Sequence, residues 1–282
     1  MTIDIDHLRT WIGNTDVAED VLSAGLVDRF RATMDEGAPP ARDGEPAPQA
    51  IHWCLAPSAA RQSEIASDGH AGKGGFLPPV PLPRRMWAGS RIDFRGDLRV
   101  GDRVARRSRV EKVDYKQGRT GELVFVQVSH EYETARGIAV REELDAVYRA
   151  LEAPAASAAP QEKGAGAPSA ADVRRAIEPT AALLFRYSAL TFNAHRIHYD
   201  RKYTMETERY PGLVVHGPLQ ATFLLRLAAE IKGAPLREAA IRAVSPLFDS
   251  GPFSIAGKRA NGGVETWSEN GQGRTTMSVG AN

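Results

Sequence analysis

Residues 151–172, LEAPAASAAPQEKGAGAPSAAD, consist of Ala, Pro, Gly and Ser with scattered charges. They lack the apolar periodicity needed to bury a face, so the stretch reads as a flexible linker. It splits the chain into residues 1–150 and 173–282, each long enough for one small domain.

The two parts share an order of elements. In the first, residues 16–34 read as a helix, because Val17, Val21, Leu22, Leu26 and Phe30 follow helical spacing. SRIDFRGDLRV, DRVARRSRVEKVDYKQG and GELVFVQVSHEYET follow as strands of alternating apolar residues, with a turn at Gln117-Gly118. In the second, a helix over 217–232 carries Leu219, Phe223, Leu224 and Leu227 in one stripe and ends at Gly233. REAAIRAVSPLF, GPFSIAGKRANGG, VETWSENGQG and RTTMSVGAN then read as strands separated by glycine turns. Helix followed by antiparallel strands, twice over, is an α+β pattern and predicts two copies of one small fold. No direct sequence identity between the halves is evident. EGAPPARDGEPAP (36–48) has the composition of a surface loop. GKGGFLPPVPLPRR (72–85) is also rich in Gly and Pro, but its Phe76, Leu77, Val80 and Leu82 predict that it packs onto something.

Composition narrows the partners. An apolar fraction of 42% with 25% charged residues is typical of soluble globular proteins. A formal net charge of +1 gives no bulk attraction to nucleic acid or membrane. The single cysteine, Cys54, excludes an internal disulfide and a multi-cysteine metal site. The first residues, MTIDIDHLRTWIGNTD, do not read as a secretory signal, and no stretch approaches the roughly 20 apolar residues of a membrane span. The expected compartment is the cytoplasm.

One segment carries chemistry. ALTFNAHRIHYD, residues 189–200, places two of the chain's seven histidines three positions apart behind Asn193. From these residues alone a metal site, a catalytic base and a buried hydrogen-bond network all remain open. N-A-H-R-I-H followed by the His-Gly pair of YPGLVVHGPLQATFLL resembles the signature of the type 2 enoyl-thioester hydratases, the MaoC-like family. SALTFNAHRIHYD, with GGFLPPVPLPRRMWAG (74–89), is closer to the hydroxyacyl-thioester dehydratase type 2 branch, and within it to the mesaconyl-C4-CoA (3-methylfumaryl-CoA) and itaconyl-CoA hydratases. The resemblance covers most of the chain except the linker and the loop at 36–48. It implies a double hotdog, two long helices each wrapped by an antiparallel sheet, with the active site in the second half. Residues 1–150 would be a non-catalytic hotdog forming part of the substrate tunnel, and residues 173–282 would carry the hydratase motif.

The resemblance also distributes roles. Reversible hydration of an α,β-unsaturated thioester needs a proton-transferring group, a polar group that orients water, and donors for the enolate oxygen. His198 matches the family's catalytic histidine. Asn193 falls where the wider family has aspartate; an amide cannot act as a base, so Asn193 is assigned to orienting the water. Gly217, at the start of the helix, matches the position that supplies the oxyanion N–H, and free N–H groups at a helix N-terminus suit that task. Asp200 could instead polarise His198. His195 could bind substrate or brace the loop, and His216 could hold the start of the helix. Arg84 and Arg85 are ordinary surface residues or, for one of them, a partner for a substrate carboxylate, which arginine matches bidentately. The arginines of DRVARRSR (102–109) read as a solvated strand face. Three alternatives stand beside the hydratase of a short acyl-CoA: a 3-hydroxyacyl-thioester dehydratase of fatty acid metabolism, a zinc site of His195, His198 and His216, and a tunnel that only holds acyl thioesters. The expectation is a hydro-lyase acting on an acyl-CoA, with no resident metal or cofactor, coenzyme A being part of the substrate. A homodimer is the oligomer considered.

Overall fold

The computed structural model describes residues 3–118, 121–150 and 170–282. The stretch expected to be a linker lies outside the described residues as far as residue 169. In chain order the elements are α1 (Ile5–Arg9), β1 (Thr15–Val21), α2 (Ala24–Thr33), β2 (Arg84–Phe94), β3 (Arg103–Gly118), β4 (Gly121–Thr134) and β5 (Gly137–Arg149). After the linker come β6 (Val173–Ile177), α3 (Ala181–Leu190), α4 (Arg201–Glu206), α5 (Gly217–Lys232), β7 (Glu238–Ala243), β8 (Phe253–Ala260), β9 (Gly263–Glu269) and β10 (Thr275–Ala281).

The strands form one antiparallel sheet in the order β1-β3-β4-β5-β2-β7-β10-β9-β8-β6. Within the first half the order is first, third, fourth, fifth, second. Counted from the other edge, β6-β8-β9-β10-β7 repeats it. The same small fold therefore occurs twice, and the copies meet through their second strands, from Gly89↔Arg242 to Asp93↔Glu238. This is the α+β double hotdog that the resemblance implies. No helix among the described residues is long and apolar enough to cross a membrane.

Helix α5 begins and ends where its sequence says. Pro218 occupies its first turn, and Gly233 closes it with φ 78°, a conformation that costs glycine little. The sheet of the second half wraps it, and Leu219, Leu224, Leu225 and Leu227 are buried. Gln220 Oε1 accepts from Ser268 Oγ and Thr276 Oγ1, so the polar atoms between helix and sheet are satisfied.

The first half departs from expectation in three places. Residues 16–34 are not one helix. Thr15–Val21 pair with β3 as an edge strand, leaving Val17 and Val21 exposed, and the helix starts only after Ser23, whose hydroxyl caps the N–H of Leu26. Ion pairs across β3 reward the strand: Arg106 meets Asp16 at 3.1 Å, and Arg107 meets Glu133 on β4 at 3.1 Å. Helix α2 is also short, ten residues against sixteen in α5. Asp35 at φ 54° and the Pro39-Pro40 pair stop it, and a 3₁₀ turn at Ile51–Cys54 fills part of the core instead. Third, β5 was not anticipated, and β2 takes in Arg84-Arg85-Met86-Trp87, which were read as loop. The Gly/Pro tract does pack: Val80 and Leu82 bury themselves on the apolar surface formed by Val110, Val126 and Tyr148.

The seam between the copies depends on one glycine. Gly89 sits at a bulge in β2 with φ 156°, and a Cβ there would overlap the carbonyl oxygen of Ile241 on β7. Gly89→Ala should lower stability by about 3 kcal/mol, as overpacking against a backbone does. Its thermal midpoint should fall by about 6 °C or more; an unchanged midpoint would show that the seam relaxes freely.

Candidate active site

The motif is a tight turn pinned on both sides. Thr180 caps α3, which leads into it. After α3, Phe192 turns the chain at φ 50°, the N–H of Asn193 donates to the carbonyl of Ser188, and Asn193 Oδ1 accepts from the N–H of His195 at 2.9 Å. Asn193 Oδ1 thus helps to hold the turn, and this bond uses one of its two lone pairs. Residues Arg196–His198 form one 3₁₀ turn, and the N–H of Val214 donates to the carbonyl of Ile197. In return His198 Nδ1 donates to the carbonyl of Val214 at 2.7 Å. A carbonyl can only accept, so the proton is on Nδ1 and Nε2 keeps its lone pair. Asp200 does not reach His198; it caps α4 and pairs with Arg196 at 2.7 Å.

Four imidazoles stand in a row. His198 stacks on His216 with centroids 3.7 Å apart and 17° between planes. His195 meets His198 edge-on at 5.5 Å, and His70 lies 4.0 Å beyond His195. Burial is the main cause holding them neutral. It takes His198 down to about 4, with His70 adding to the effect and the Val214 carbonyl opposing it. Burial and the neighbouring His70 and His198 take His195 down to about 2. His216 is pushed well below the usual histidine range by burial and by the neighbouring His198 and His195. At neutral pH His198 is therefore the free base. His216, whose Nε2 lies 2.8 Å from Ser188 Oγ, forms the floor beneath it.

Gly217 opens α5 next to His216, and its N–H has no acceptor among the described residues. A Cβ at this position would lie 2.6 Å from Trp87 Cε3, so the indole from the first half closes over the start of the helix only because residue 217 is glycine. Trp87 is held by a chain of hydrogen bonds: its Nε1 donates to Ser90 Oγ, which donates to the buried carboxylate of Glu142 at 2.5 Å.

The first half also contributes a loop that the sequence reading passed over. Ser67 to His70 dock on the motif: the N–H of Arg196 donates to the carbonyl of Asp68, and Arg196 Nη1 to that of Ser67. Gly69, at φ 93°, lies against the carbonyl of Ala194 where no side chain fits. Asp68 accepts from both the N–H and Nδ1 of His70, at 2.9 and 3.0 Å. Burial pushes the Asp68 carboxyl up, but these bonds outweigh it and hold it well below the usual carboxylate range. The only sequence signal was D-G-H inside a loop, with nothing to link it to a motif more than a hundred residues away.

The two arginines separate. Arg84 is spent: it pairs with buried Glu208 at 3.1 Å, donates to the Glu208 carbonyl and lies over the Tyr210 ring. Arg85 lies beside His70, His195 and Tyr148, close enough for its charge to act on each, and has no carboxylate partner among the described residues. The zinc set of His195, His198 and His216 does not converge, since His198 and His216 lie face to face with one nitrogen each already bonded. An open depression of about 840 Å³ straddles the β2–β7 seam and touches none of the motif residues.

Comparison with known proteins shows the family and the fold. Residues 50–249 match the family described as hydroxyacyl-thioester dehydratase type 2. The chain is 40% identical over 272 residues, 95% of each chain, to a mesaconyl-C(4)-CoA hydratase of Chloroflexus aurantiacus. Among solved structures it is similar to HtdX of Mycobacterium tuberculosis, with TM-score 0.67, 16% identity and coverage of 95% and 98% of the two chains. It is also similar to a MaoC-like dehydratase of Phytophthora capsici, with TM-score 0.68, 13% identity and coverage of 99% and 98%. A further Mycobacterium tuberculosis protein with a double hotdog fold matches at TM-score 0.58, 13% identity and coverage of 96% and 95%. At these identities the structures speak for the fold.

Two outcomes follow from the packing. Gly217→Ala keeps its N–H but should cut turnover roughly a hundredfold, the scale of about a 1 Å misplacement in a site, by driving Trp87 off its seat. Adding Trp87→Ala should recover part of the loss, and strictly additive losses would refute the steric link. The buried histidines set the second. His52 and His130, both taken down to about 3 by burial, join His198 at about 4. Each binds its proton more weakly folded than unfolded, so the unfolded chain takes up more protons below about 6.5, and stability falls as pH drops from there toward 4. The urea midpoint should be lower at pH 5 than at pH 7.5; an equal or higher one would contradict this.

Proposed function

Since the chain belongs to the hydroxyacyl-thioester dehydratase type 2 family, we propose that it is a hydro-lyase that adds water reversibly to a short enoyl-CoA. The observation that carries the reading is the pairing of His198, with Nδ1 anchored and Nε2 free, and the unpartnered N–H of Gly217 at the head of α5. In hydration, His198 Nε2 takes one proton from a water whose oxygen bonds to the β-carbon. The π electrons move onto the thioester oxygen, which Gly217 N–H and the positive end of α5 receive. The enolate then collapses and takes the proton from His198 at the α-carbon, leaving the base as it began. These steps call for no metal or further cofactor; coenzyme A arrives as part of the substrate. Residues 173–282 supply the base, and residues 1–150 supply walls of the tunnel through Trp87 and the docked loop.

The substrate we propose is mesaconyl-C4-CoA, whose double bond is conjugated to the thioester, or itaconyl-CoA once its double bond has shifted into that conjugation, with citramalyl-CoA as the hydrated product. Support comes from the mesaconyl-C(4)-CoA hydratase relative and from Arg85, a guanidinium without a carboxylate beside the site histidines. A partly buried guanidinium discriminates, because a substrate without the carboxylate leaves it unpaired. Purified protein with a panel of enoyl- and hydroxyacyl-CoA esters tests the reading. Mesaconyl-C4-CoA or itaconyl-CoA should be hydrated faster than crotonyl-CoA, and His198→Gln should lose about a hundredfold or more. Arg85→Met should raise KM for the carboxylated esters while sparing crotonyl-CoA. Arg84→Met should lower the thermal midpoint instead, since it strands Glu208. A wild type that prefers long plain enoyl esters would make it a fatty-acid dehydratase, and one inert to all esters would leave a binding protein.

A further inference from the structure

The loop from the first half brings a set of metal-type ligands to the motif, distinct from the histidine trio that fails to converge. One ligand atom each from Asp68, His70 and His195 lie within 4.8 Å of one another. Asp68 Oδ2 and His70 Nδ1 are 3.0 Å apart, near the roughly 3.4 Å between two ligands on a tetrahedral zinc ion. The ring of His195 lies against that of His70, with centroids 4.0 Å apart. His195 is only 8% exposed, yet its ring nitrogens make no hydrogen bond among the described residues, and neither is sealed from solvent. The backbone holds the set in place. Asp68 Oδ1 accepts from the N–H of His70, which aims Oδ2, and the Asp68 carbonyl accepts from the N–H of Arg196, the neighbour of His195. Fixed outer bonds of this kind orient metal ligands.

We propose that Asp68, His70 and His195 form a site for a transition-metal dication of the Zn²⁺ class, and that its occupation inhibits the enzyme. The ion replaces the Nδ1 proton between Asp68 and His70, that proton moving to Nε2, and His195 turns one nitrogen inward by about 1 Å to complete three bonds. Two imidazoles and one carboxylate suit Zn²⁺, Co²⁺ or Ni²⁺, whereas Mg²⁺ and Ca²⁺ ask for oxygen ligands. A fourth position stays open to water. The inhibition rests on the hydratase reading above. His195 meets His198 edge-on, and Arg85 lies beside both ligating histidines, so the ion stands against the base and the proposed carboxylate partner together.

Two facts make the binding reversible rather than permanent. The Arg85 charge repels a cation, and the hydrogen bond between His70 and Asp68 must be given up for it. The resting enzyme is then the metal-free form. Because the ligands come from both halves, the ion also ties the loop of residues 1–150 to the motif.

Calorimetry and kinetics on the full-length, chelator-treated protein test this with ZnCl₂ as the probe. One tight Zn²⁺ per chain should bind, raise the thermal midpoint and inhibit hydration of whichever ester turns over, whereas MgCl₂ at the same concentration should do none of these. His70→Ala and Asp68→Asn should each weaken Zn²⁺ binding by about a hundredfold or more, beyond the loss of a merely supporting partner. Asp68→Asn keeps an acceptor for the N–H of His70, so it carries the test where His70→Ala fails to fold. His198→Gln should bind Zn²⁺ as the wild type does. Binding that survives both ligand changes, or that disappears with His198→Gln, would overturn the site. A wild type that hydrates esters but binds no Zn²⁺ would overturn the site and leave the function standing. Binding without inhibition in an active wild type, or activity that depends on Zn²⁺, would overturn the inhibitory role. A wild type that binds Zn²⁺ through these residues but is inert to every ester would overturn the hydratase reading and leave the metal site alone.

Discussion

The antiparallel pairing of β2 with β7 is the interaction on which the rest of the molecule depends. It joins two five-stranded copies into one sheet and fixes the register of one half against the other. Because β2 runs from Arg84 to Phe94, the same strand that makes the seam carries Trp87 over Gly217, brings Arg84 to Glu208 and sets Arg85 beside the histidines. Positions along a strand are separated by fixed steps, so a slip at the seam would displace the wall of the site and the ion pair together.

Within that frame the site works by exclusion of charge. Its imidazoles are crowded and buried, and each makes protonation of the next more costly. A base that must take a proton from water and return it in the same turnover gains from this, since its resting form is the one the first step needs. The hydrogen bond from Nδ1 to Val214 limits the effect, and the motif histidine ends nearer to titration than its neighbour His195. The Asp68–His70 pair sits at the other end of the row, where a carboxylate can oppose burial.

Much of this was legible in the chain. Helix α5 was readable to the residue, because a His-Gly-Pro start, an apolar stripe and a closing glycine all agree locally. Strands β7 to β10 and the β3–β4 hairpin were readable from alternation, whereas β6 was not read. The α+β class and the twofold repeat followed from element order. The helix over 16–34 was misread because Val17 and Val21 fit either period, and only pairing with β3 decides between them. The short α2 could not be foreseen from a repeat, since the core it leaves is filled by an irregular segment. In the candidate site, His198 and Gly217 were singled out through the motif. His70 and Asp68 were missed because their meaning lies in a contact across the halves that no local pattern encodes, and the choice between Arg84 and Arg85 needed Glu208 in place.

Gly69 and Gly217, like Gly89 at the seam, stand where the halves touch closely, one against a carbonyl of the motif and the other against an indole of the opposite half. Each is a vacancy in one half shaped by an atom in the other. Neither half can then drift alone. A bulkier residue at 217 demands a smaller one at 87, and any lengthening at 69 demands that the turn at 194 retreat. Relatives of this chain should show such changes in pairs, and a hybrid joining residues 1–150 of one relative to 173–282 of another should work only when both sides of these contacts come from matching parents.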